Sequence, residues 1–389
     1  MSSNGSNLSE NFLPSQYKSD SEMEIQHNYL SSQFSEYKEI MKLIEIVVLK
    51  NDFTLGEAVD EFEKRFAFLH QSQYGVGVGS GTDAIFLSLK ALGIGPGDEV
   101  ITPPFTFFAT VGAIATTGAT PVFVDVDVDG FNISMDLLEA AITSNTRAIV
   151  PVHWAGRLCD MRILGEIATR YGLKVVEDAC HAVNATRDGV YAGSYSDAAC
   201  FSFHPLKNLN VWGDGGIILT DSKELSNRLK LLRNHGLVNR NECHEFAYNS
   251  RLDTIQAVIA NYMLDKIHFI TDARVKNSKY FDSFLRNIPQ IQIHTRRKSI
   301  KEVYHLYSIL CEERDELYNF LRSKGIDAKI HYPVPLHLQP AAKHLGYKPG
   351  DFPNTERISK KVLSLPVHEF VSTPQLDFMI EKIREFYGI

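Results

Sequence analysis

The chain has 389 residues, of which 44% are hydrophobic and 22% charged, with 40 Lys and Arg against 47 Asp and Glu. This composition is typical of a globular protein of two or three domains, and it excludes a collagen, a coiled coil and a chain that is disordered throughout. The charge of −7, without a block of Lys or Arg, argues against a nucleic-acid partner.

The N-terminal 25 residues are rich in Ser and Asn and contain neither the basic nor the apolar segment of a signal peptide. We therefore predict a disordered tail over residues 1–25. No apolar run reaches the roughly 18–20 residues of a membrane helix. The five cysteines include no Cys-x-x-Cys pair that would indicate a zinc site. We expect a cytoplasmic protein with no membrane partner and no metal.

Helical periodicity begins near residue 36, and a second helix is predicted over 57–69. Beyond it, short apolar runs that are typical of strands alternate with amphipathic helices. Continuous apolar strands separated by helices indicate a mostly parallel sheet that is covered on both faces, and therefore an α/β fold. The predicted strands cover 74–80, 98–104, 120–126, 147–154, 173–179, 197–204 and 215–220, with helices at 82–92, 107–117, 134–142 and 164–171.

The C-terminal part of the chain has a different pattern. A polar connector over 234–245 leads to a long helical stretch over 253–285, and the residues after it mix helices with short strands, such as 303–311. We predict a large domain over residues 26–265 and a smaller C-terminal α+β domain over residues 266–389.

Polar residues follow several predicted strands, at the edge of the sheet where open α/β folds bind their ligands. Ser80, Gly81 and Thr82 form the turn from a strand into a helix, which suits either a phosphate or a simple helix cap. Asp178 ends a strongly apolar strand, where its carboxylate could hold a cationic ring nitrogen or cap the next helix. The glycines near residue 80 lack the G-x-G-x-x-G spacing, which disfavours a nicotinamide-dependent oxidoreductase.

Lys207 lies in a loop bounded by Pro and Gly, just past a buried strand. Partial desolvation there would lower its pKa and allow it to form a Schiff base, whereas most loop lysines are simply solvated. Phe107 follows another strand, and its ring could stack on a flat cofactor or pack in the core. His153 and His204 could serve as ligands or acids, or as hydrogen-bonded core residues.

The order of these features is distinctive: a phosphate turn, a strand-end aspartate about a hundred residues later, and a lysine some thirty residues beyond it. The chain from about residue 36 to its C-terminus resembles the DegT/DnrJ/EryC1/StrS sugar aminotransferases, which are pyridoxal-phosphate enzymes of fold type I. The segments that carry the resemblance are 55–67, 78–110, VEDACHA (176–182), GSYSDAACFSFHPLKNLNVWGDGG (193–216), YNSRLDTIQA (248–257) and 331–368.

The resemblance implies an aspartate-aminotransferase-like large domain with a mostly parallel seven-stranded sheet. It implies that Lys207 is the Schiff-base lysine and moves the proton during transfer, while Asp178 pairs with the pyridine nitrogen of pyridoxal 5'-phosphate. The residues implied to hold the phosphate are Gly81, Thr82 and Ser202.

Three further roles follow from the same resemblance. Phe107 would cover one face of the cofactor ring, and His181 would lie beside the ring near its phenolic oxygen, although many relatives have Gln there. Asn249, in the Y-N-x-R motif, would reach the cofactor phosphate of the neighbouring subunit. The resemblance therefore implies a homodimer with composite active sites.

The family reaction would move an amino group from L-glutamate to the carbonyl of a sugar. One branch of the family is a dehydratase with His in place of the Schiff-base lysine, and the presence of Lys207 favours transamination. A non-catalytic protein that only binds pyridoxal phosphate would lack a catalytic residue, and none of those residues is missing here.

The sequence HWAGRLCDM (153–161) resembles the branch that makes 8-amino-3,8-dideoxy-manno-octulosonate for lipopolysaccharide. Such an acceptor carries a carboxylate, which Arg157 could clamp with two hydrogen bonds. His153 and His331 are further candidate substrate contacts. The alternative acceptor is a nucleotide-diphosphate keto-deoxyhexose.

Overall fold

The computed structural model describes residues 23–27 and 29–389. Most of the predicted tail lies outside the described residues. Ile25, at the end of that predicted tail, is buried, and its backbone bridges to Ile326, which follows α11. The chain therefore already contributes to a hydrophobic core at residue 25.

Helices cover both faces of a central sheet. None of those in the described part of the chain combines the length and apolar character that a bilayer span requires. The helices are α1 (Leu30–Gln33), α2 (Tyr37–Lys50), α3 (Glu57–Leu69), α4 (Gly81–Ala91), α5 (Phe108–Thr116), α6 (Met135–Leu138), α7 (Met161–Tyr171), α8 (Lys223–Leu232), α9 (Thr254–Leu264), α10 (Ile267–Leu285), α11 (Arg314–Ser323), α12 (Pro353–Lys361) and α13 (Thr373–Tyr387).

The described strands form one large sheet and three small ones. The strands are β1 (Tyr74–Val78), β2 (Glu99–Thr102), β3 (Thr120–Phe123), β4 (Thr146–Ile149), β5 (Lys174–Asp178), β6 (Thr186–Arg187), β7 (Val190–Tyr191), β8 (Ala198–Ser202), β9 (Gly216–Thr220), β10 (Leu237–Asn239), β11 (Glu242–Cys243), β12 (Ile291–Gln292), β13 (Ile300–Lys301), β14 (Tyr307–Cys311) and β15 (Val362–Leu365).

The large sheet has seven strands in the order β1-β9-β8-β5-β4-β2-β3. Only β9 runs against the others, because it pairs antiparallel with both β1 and β8. The mostly parallel seven-stranded sheet expected from the sequence is confirmed.

Successive residues of the central strands enter two different cores. On β8, Ala199 and Phe201 face the core that contains α3 and α9, while Ala198 and Cys200 face the core that contains α4 and α8. Both faces of these strands are buried, which explains why their sequences are continuously apolar and do not alternate between apolar and polar residues.

The register of the sheet brings three strand ends to one edge. Ser202 of β8 and Val78 of β1 both pair with Gly216, and Asp178 of β5 lies opposite Cys200 of β8. The turn after Val78 therefore opens beside Ser202 and Asp178, at the edge where the sequence places its candidate residues.

Helix α10 contributes to two separate hydrophobic cores. Ile267 and Ile270 near its start pack in the core that contains α3 and α9, whereas Phe281 and Leu285 near its end pack in a second core that contains β14 and β15. The predicted boundary at residue 266 falls at the start of this shared helix. The predicted helical stretch over 253–285 is two helices, α9 and α10, which are separated at residues 265–266.

The predicted strand over 303–311 is shorter than expected and begins only at Tyr307. The reason is that the backbone N–H groups of Val303 and His305 donate to the carbonyls of Gly156 and Ala155, at 3.1 and 2.9 Å. These residues pair with a loop of the large domain and not with the small sheet.

Two other segments also differ from the sequence prediction. The predicted strand over 147–154 ends at Ile149, after which the chain makes a bridge from Val152 to Asp178 and a short 3-10 turn over Trp154–Gly156. The predicted helix over 134–142 is one turn of α-helix followed by a 3-10 turn over Glu139–Ala141.

A buried ion pair covers the outer edge of β1. The backbone N–H of Gly77 donates to Oε1 of Glu63 at 2.8 Å, and its carbonyl accepts from Arg233 at 2.7 Å. Arg233 also pairs directly with Glu63, and each of these side chains is only 6% exposed. Two charged side chains thus satisfy backbone groups that no neighbouring strand pairs with.

We expect Arg233→Met to lower the free energy of unfolding by about 3–5 kcal/mol, because it leaves the Glu63 carboxylate buried without its partner. Urea unfolding followed by circular dichroism measures this loss. The control is Arg228→Met, which removes a solvent-exposed ion pair with Glu245 and should cost less than about 1 kcal/mol. Equal losses in the two variants would contradict this account.

Candidate active site

Asp178 is held in a fixed orientation at the end of β5, where it is 6% exposed. Its Oδ2 accepts a hydrogen bond from the hydroxyl of Thr110 at 2.7 Å, and its Oδ1 accepts the N–H of Cys180 at 3.2 Å. Thr110 lies 2.8 Å from the hydroxyl of Thr106, one turn earlier. Since Thr110 donates to the carboxylate, its oxygen is free to accept from Thr106, and the chain of hydroxyls ends at Asp178.

Gly81 makes the close approach that an anion site needs. It is the first residue of α4, and the hydroxyl of Ser80 caps the helix by accepting the N–H of Asp83 at 3.0 Å. A Cβ at Gly81 would lie 2.5 Å from Cβ of Ser202 and 2.9 Å from Sγ of Cys180. Only glycine therefore lets the helix N-terminus meet the Ser202 hydroxyl, and together they offer a cradle of donors whose chemistry suits a phosphate.

Thr82, the second helical residue, is exposed at the same helix end. Its backbone N–H belongs to the first turn of α4, where N–H groups have no partner within the helix. The structure thus brings the three residues predicted to hold the phosphate to one place.

Lys207 lies in the loop between β8 and β9, with its backbone N–H donating to the carbonyl of His204 at 2.8 Å. Asn208 anchors this loop through a hydrogen bond of 3.0 Å to the carbonyl of Val303. Asn210 anchors it through a hydrogen bond of 2.7 Å to the side-chain oxygen of Gln33. Burial lowers the pKa of the Lys207 amine, against an opposing effect of Cys180 and Asp178. A larger fraction of this amine is therefore uncharged and nucleophilic near neutral pH than of a solvated lysine.

His181 faces the same space as an uncharged imidazole. Its Nδ1 accepts the backbone N–H of Ala155 at 3.3 Å. Burial, and then the positive charge of Lys207 and the nearby His331, hold the pKa of His181 well below its usual range. Because Nδ1 accepts, the single proton of the neutral ring lies on Nε2.

Aromatic rings form one wall of the site. Phe107 precedes α5, is half exposed, and has its ring centroid 6.0 Å from that of Tyr332. Burial, and then the charge of Asp178, raise the pKa of the Tyr332 hydroxyl. Tyr332 is not among the site residues predicted from the sequence, although it lies within the segment 331–368 that carries the resemblance.

The candidate substrate contact His331 adjoins this wall. Its Nδ1 lies 3.1 Å from the Ser364 hydroxyl. Burial, followed by the charges of Lys329 and Lys207, lowers the pKa of His331 to about 4. It is therefore an uncharged ring near the reactive lysine.

The other two candidate substrate contacts have partners inside the protein. Arg157 donates to Glu302 at 2.6 Å and to the carbonyl of Thr295 at 2.9 Å. His153 has no exposed surface, and its Nε2 lies 2.5 Å from Glu177. For His153 the structure matches the alternative of a hydrogen-bonded core residue. The expected carboxylate clamp at Arg157 is occupied by Glu302.

Asn249 is exposed, on a segment whose backbone bridges to Asn234. Arg251 of the same motif donates to the side chain of Asn234 at 3.1 Å. The predicted contact of Asn249 with the cofactor of a second subunit stays a prediction.

These residues fit pyridoxal phosphate by their donor and acceptor chemistry. The cradle at Gly81 and Ser202 suits a dianionic phosphate, and the buried carboxylate of Asp178 suits a protonated ring nitrogen. Lys207 supplies an amine of lowered pKa within electrostatic reach of Asp178, and His181 supplies an N–H donor.

We expect Gly81→Ala to weaken pyridoxal phosphate binding by about 5- to 150-fold, because the added methyl displaces Ser202 from the cradle at a cost of about 1–3 kcal/mol. The control is Gly112→Ala on α5, where an added Cβ meets nothing within 4 Å. Absorbance titration with pyridoxal phosphate measures both affinities. Wild-type affinity in Gly81→Ala would contradict the assignment of the cradle.

Comparison with known proteins agrees with this geometry. A "Pleiotropic regulatory protein" of Geobacillus stearothermophilus is 42% identical over 92% of this chain and 97% of its own length. A dTDP-3-amino-3,4,6-trideoxy-alpha-D-glucose transaminase of Streptomyces venezuelae is 40% identical over 86% of this chain and 88% of its own. The crystal structure of S. venezuelae DesV with a ketimine intermediate superposes with a TM-score of 0.92 at 38% identity, covering 94% and 99% of the two chains.

Residues 35–384 match the DegT/DnrJ/EryC1/StrS aminotransferase family. Structures similar to this chain include aminotransferases solved in their pyridoxal phosphate and pyridoxamine phosphate forms. The cofactor of this protein is pyridoxal phosphate, and its reaction is the transfer of an amino group to a sugar. The chain belongs to the DegT/DnrJ/EryC1/StrS aminotransferase family.

Proposed function

We propose that this enzyme takes an amino group from L-glutamate and transfers it to the keto group of a nucleotide-diphosphate-linked deoxy sugar. The observation that carries the transfer chemistry is the desolvated amine of Lys207, which lies close enough to the Asp178 carboxylate for that negative charge to act on the pKa of the amine. A protein that only bound the cofactor would not need this amine.

Pyridoxal phosphate, when bound, supplies an electron sink that stabilises negative charge on the carbon losing its proton. Asp178, oriented by Thr110 and the N–H of Cys180, would place a negative charge beside the ring nitrogen. Lys207 would accept on Nζ the proton that one carbon loses and return it at the carbon where the new amine forms. His181 would offer its Nε2–H to an anionic oxygen, and the rings of Phe107 and Tyr332 would line one side of the site.

The choice of acceptor is supported by two observations. The S. venezuelae relative that covers most of this chain is named for a dTDP-linked amino sugar. In addition, Arg157, the residue expected to clamp the carboxylate of an octulosonate, is already paired with Glu302 inside the protein. A nucleotide-linked keto sugar needs no such clamp at its sugar ring.

The octulosonate 8-aldehyde is the second candidate acceptor, because the sequence HWAGRLCDM (153–161) resembles that branch of the family. With this acceptor the product would enter lipopolysaccharide.

We also propose that the enzyme works in the cytoplasm as a homodimer in which Asn249 reaches the partner's cofactor. The adjacent Phe246, whose side chain is fully exposed, and Tyr248 offer apolar surface for such a contact.

We expect Lys207→Ala to lose turnover by at least about a thousandfold, because general acid–base transfer alone contributes 10²–10⁴. The yellow band of the lysine-bound cofactor, which L-glutamate should bleach in the wild type, should be absent from this variant. Lys230→Ala, on the far end of α8, is the control and should retain wild-type turnover. Persistent activity in Lys207→Ala would refute the role of this lysine.

The acceptor is identified by single turnover of enzyme first converted to its aminated form with L-glutamate. We expect a dTDP-keto-deoxyhexose to restore the yellow band and 8-oxo-3-deoxy-manno-octulosonate not to restore it. The opposite pattern would overturn the proposed acceptor while leaving the transfer chemistry intact.

A further inference from the structure

One short segment of the site carries strained backbone whose role the transfer reaction alone does not explain. Ala155 has a φ of 56° and Gly156 a φ of 95°, both in the left-handed region. An L-residue other than glycine seldom adopts this conformation unless its surroundings compensate for the cost. The contacts of Ala155 show what this conformation achieves.

The peptide groups of Ala155 connect two histidines. Its N–H donates to Nδ1 of His181 at 3.3 Å, and its carbonyl accepts the backbone N–H of His305 at 2.9 Å. The rings of His181 and His305 then stack, with their centroids 4.2 Å apart and their planes tilted by 32°. His181 is thus fixed from one side by a backbone donor and from another by an aromatic ring.

The neighbouring contacts lock this arrangement in place. Val303 donates its N–H to Gly156 at 3.1 Å, and Arg157 pairs with Glu302 at 2.6 Å. A Cβ at Gly156 would lie 2.5 Å from Cγ2 of Val303 and 2.9 Å from the carbonyl of His181. Residues 155–157 and 302–305 therefore form one paired unit, in which only glycine fits at position 156.

Both stacked rings are uncharged in this environment. Burial, then His181 and the charge of Lys207, lower the pKa of His305 well below its usual range. Nδ1 of His305 is buried without a hydrogen-bond partner, so a charged ring would leave an unpaired N–H in the interior. The groups that act on His181 electrostatically are Lys207 and His331, and neither carries a negative charge.

We propose that Ala155, Gly156 and His305 are positioning residues that hold His181 as the Nε2–H tautomer, so that it presents a fixed N–H donor beside Lys207. A neutral imidazole N–H stabilises an anionic oxygen through a hydrogen bond and keeps its own proton, whereas a charged imidazolium could transfer a proton to that oxygen. This inference concerns the cofactor site and is independent of which sugar is the acceptor. It also gives Ala155 and Gly156 of the segment HWAGRLCDM (153–161) a structural role that does not involve the substrate.

Nitrogen-15 NMR of the histidine rings in the full-length enzyme loaded with pyridoxal phosphate tests the proposal, with His181→Gln used to assign the signal. Wild-type His181 should show the Nε2–H pattern, unchanged from pH 6 to pH 8. In His305→Ala, solvent should reach the ring, and its titration midpoint should rise by at least about one pH unit. His305→Phe, which keeps a ring in the stack, should retain most of the wild-type behaviour.

A matched pair of backbone variants tests the segment itself. Gly156→Ala should disturb the tautomer pattern, whereas Ala155→Gly, which keeps the N–H and tolerates a positive φ, should not. The proposal is overturned if wild-type His181 carries its proton on Nδ1 or is charged at pH 7. It is also overturned if folded His305→Ala and Gly156→Ala both leave the signal unchanged. Because L-glutamate alone bleaches the cofactor band, failure here is distinguishable from an error in the proposed acceptor.

Discussion

Desolvation of the Lys207 amine is the condition on which the rest of the site depends. A lysine in water is charged at neutral pH and cannot act as a nucleophile, and burial shifts this balance towards the free amine. Burial would not lower the pKa of the amine if groups around it strongly stabilised its protonated form. The neighbouring His181 and His331 are uncharged and do not stabilise that form. The Asp178 carboxylate opposes the shift, but its two oxygens are already engaged by Thr110 and Cys180.

Keeping this amine dry requires parts of the chain that are far apart in sequence. The lysine loop is fixed by Asn208 to Val303 and by Asn210 to Gln33, so that segments from both ends of the described chain bear on it. Gln33 in turn donates to Glu369. The position of the lysine loop therefore depends on contacts with segments that are far from it in sequence.

The sequence predicted those features that lie at the carboxyl ends of parallel strands. Asp178, Gly81 and Ser202 each follow or end an apolar strand, and a parallel sheet must bring such ends to one edge. Residues that reach the site from elsewhere had no such signal. Thr110 lies on a helix, and its contact with Asp178 exists only because of the strand order. Arg157 was expected to face a substrate, yet its partner Glu302 is 145 positions away, a separation that local patterns do not report.

The edge of the large sheet at β1 limits how copies of this chain can associate by strand addition. An open edge strand invites a strand from another molecule to add to the sheet, which is a common route to aggregation. Here the groups of Gly77 are taken up by Glu63 and Arg233, and the N–H of Gly79 donates to the hydroxyl of Ser250 at 3.3 Å. A foreign strand would find these hydrogen-bonding groups already used. Strand addition at this border is thereby disfavoured, and a second molecule that approached it would meet side chains and not free backbone groups.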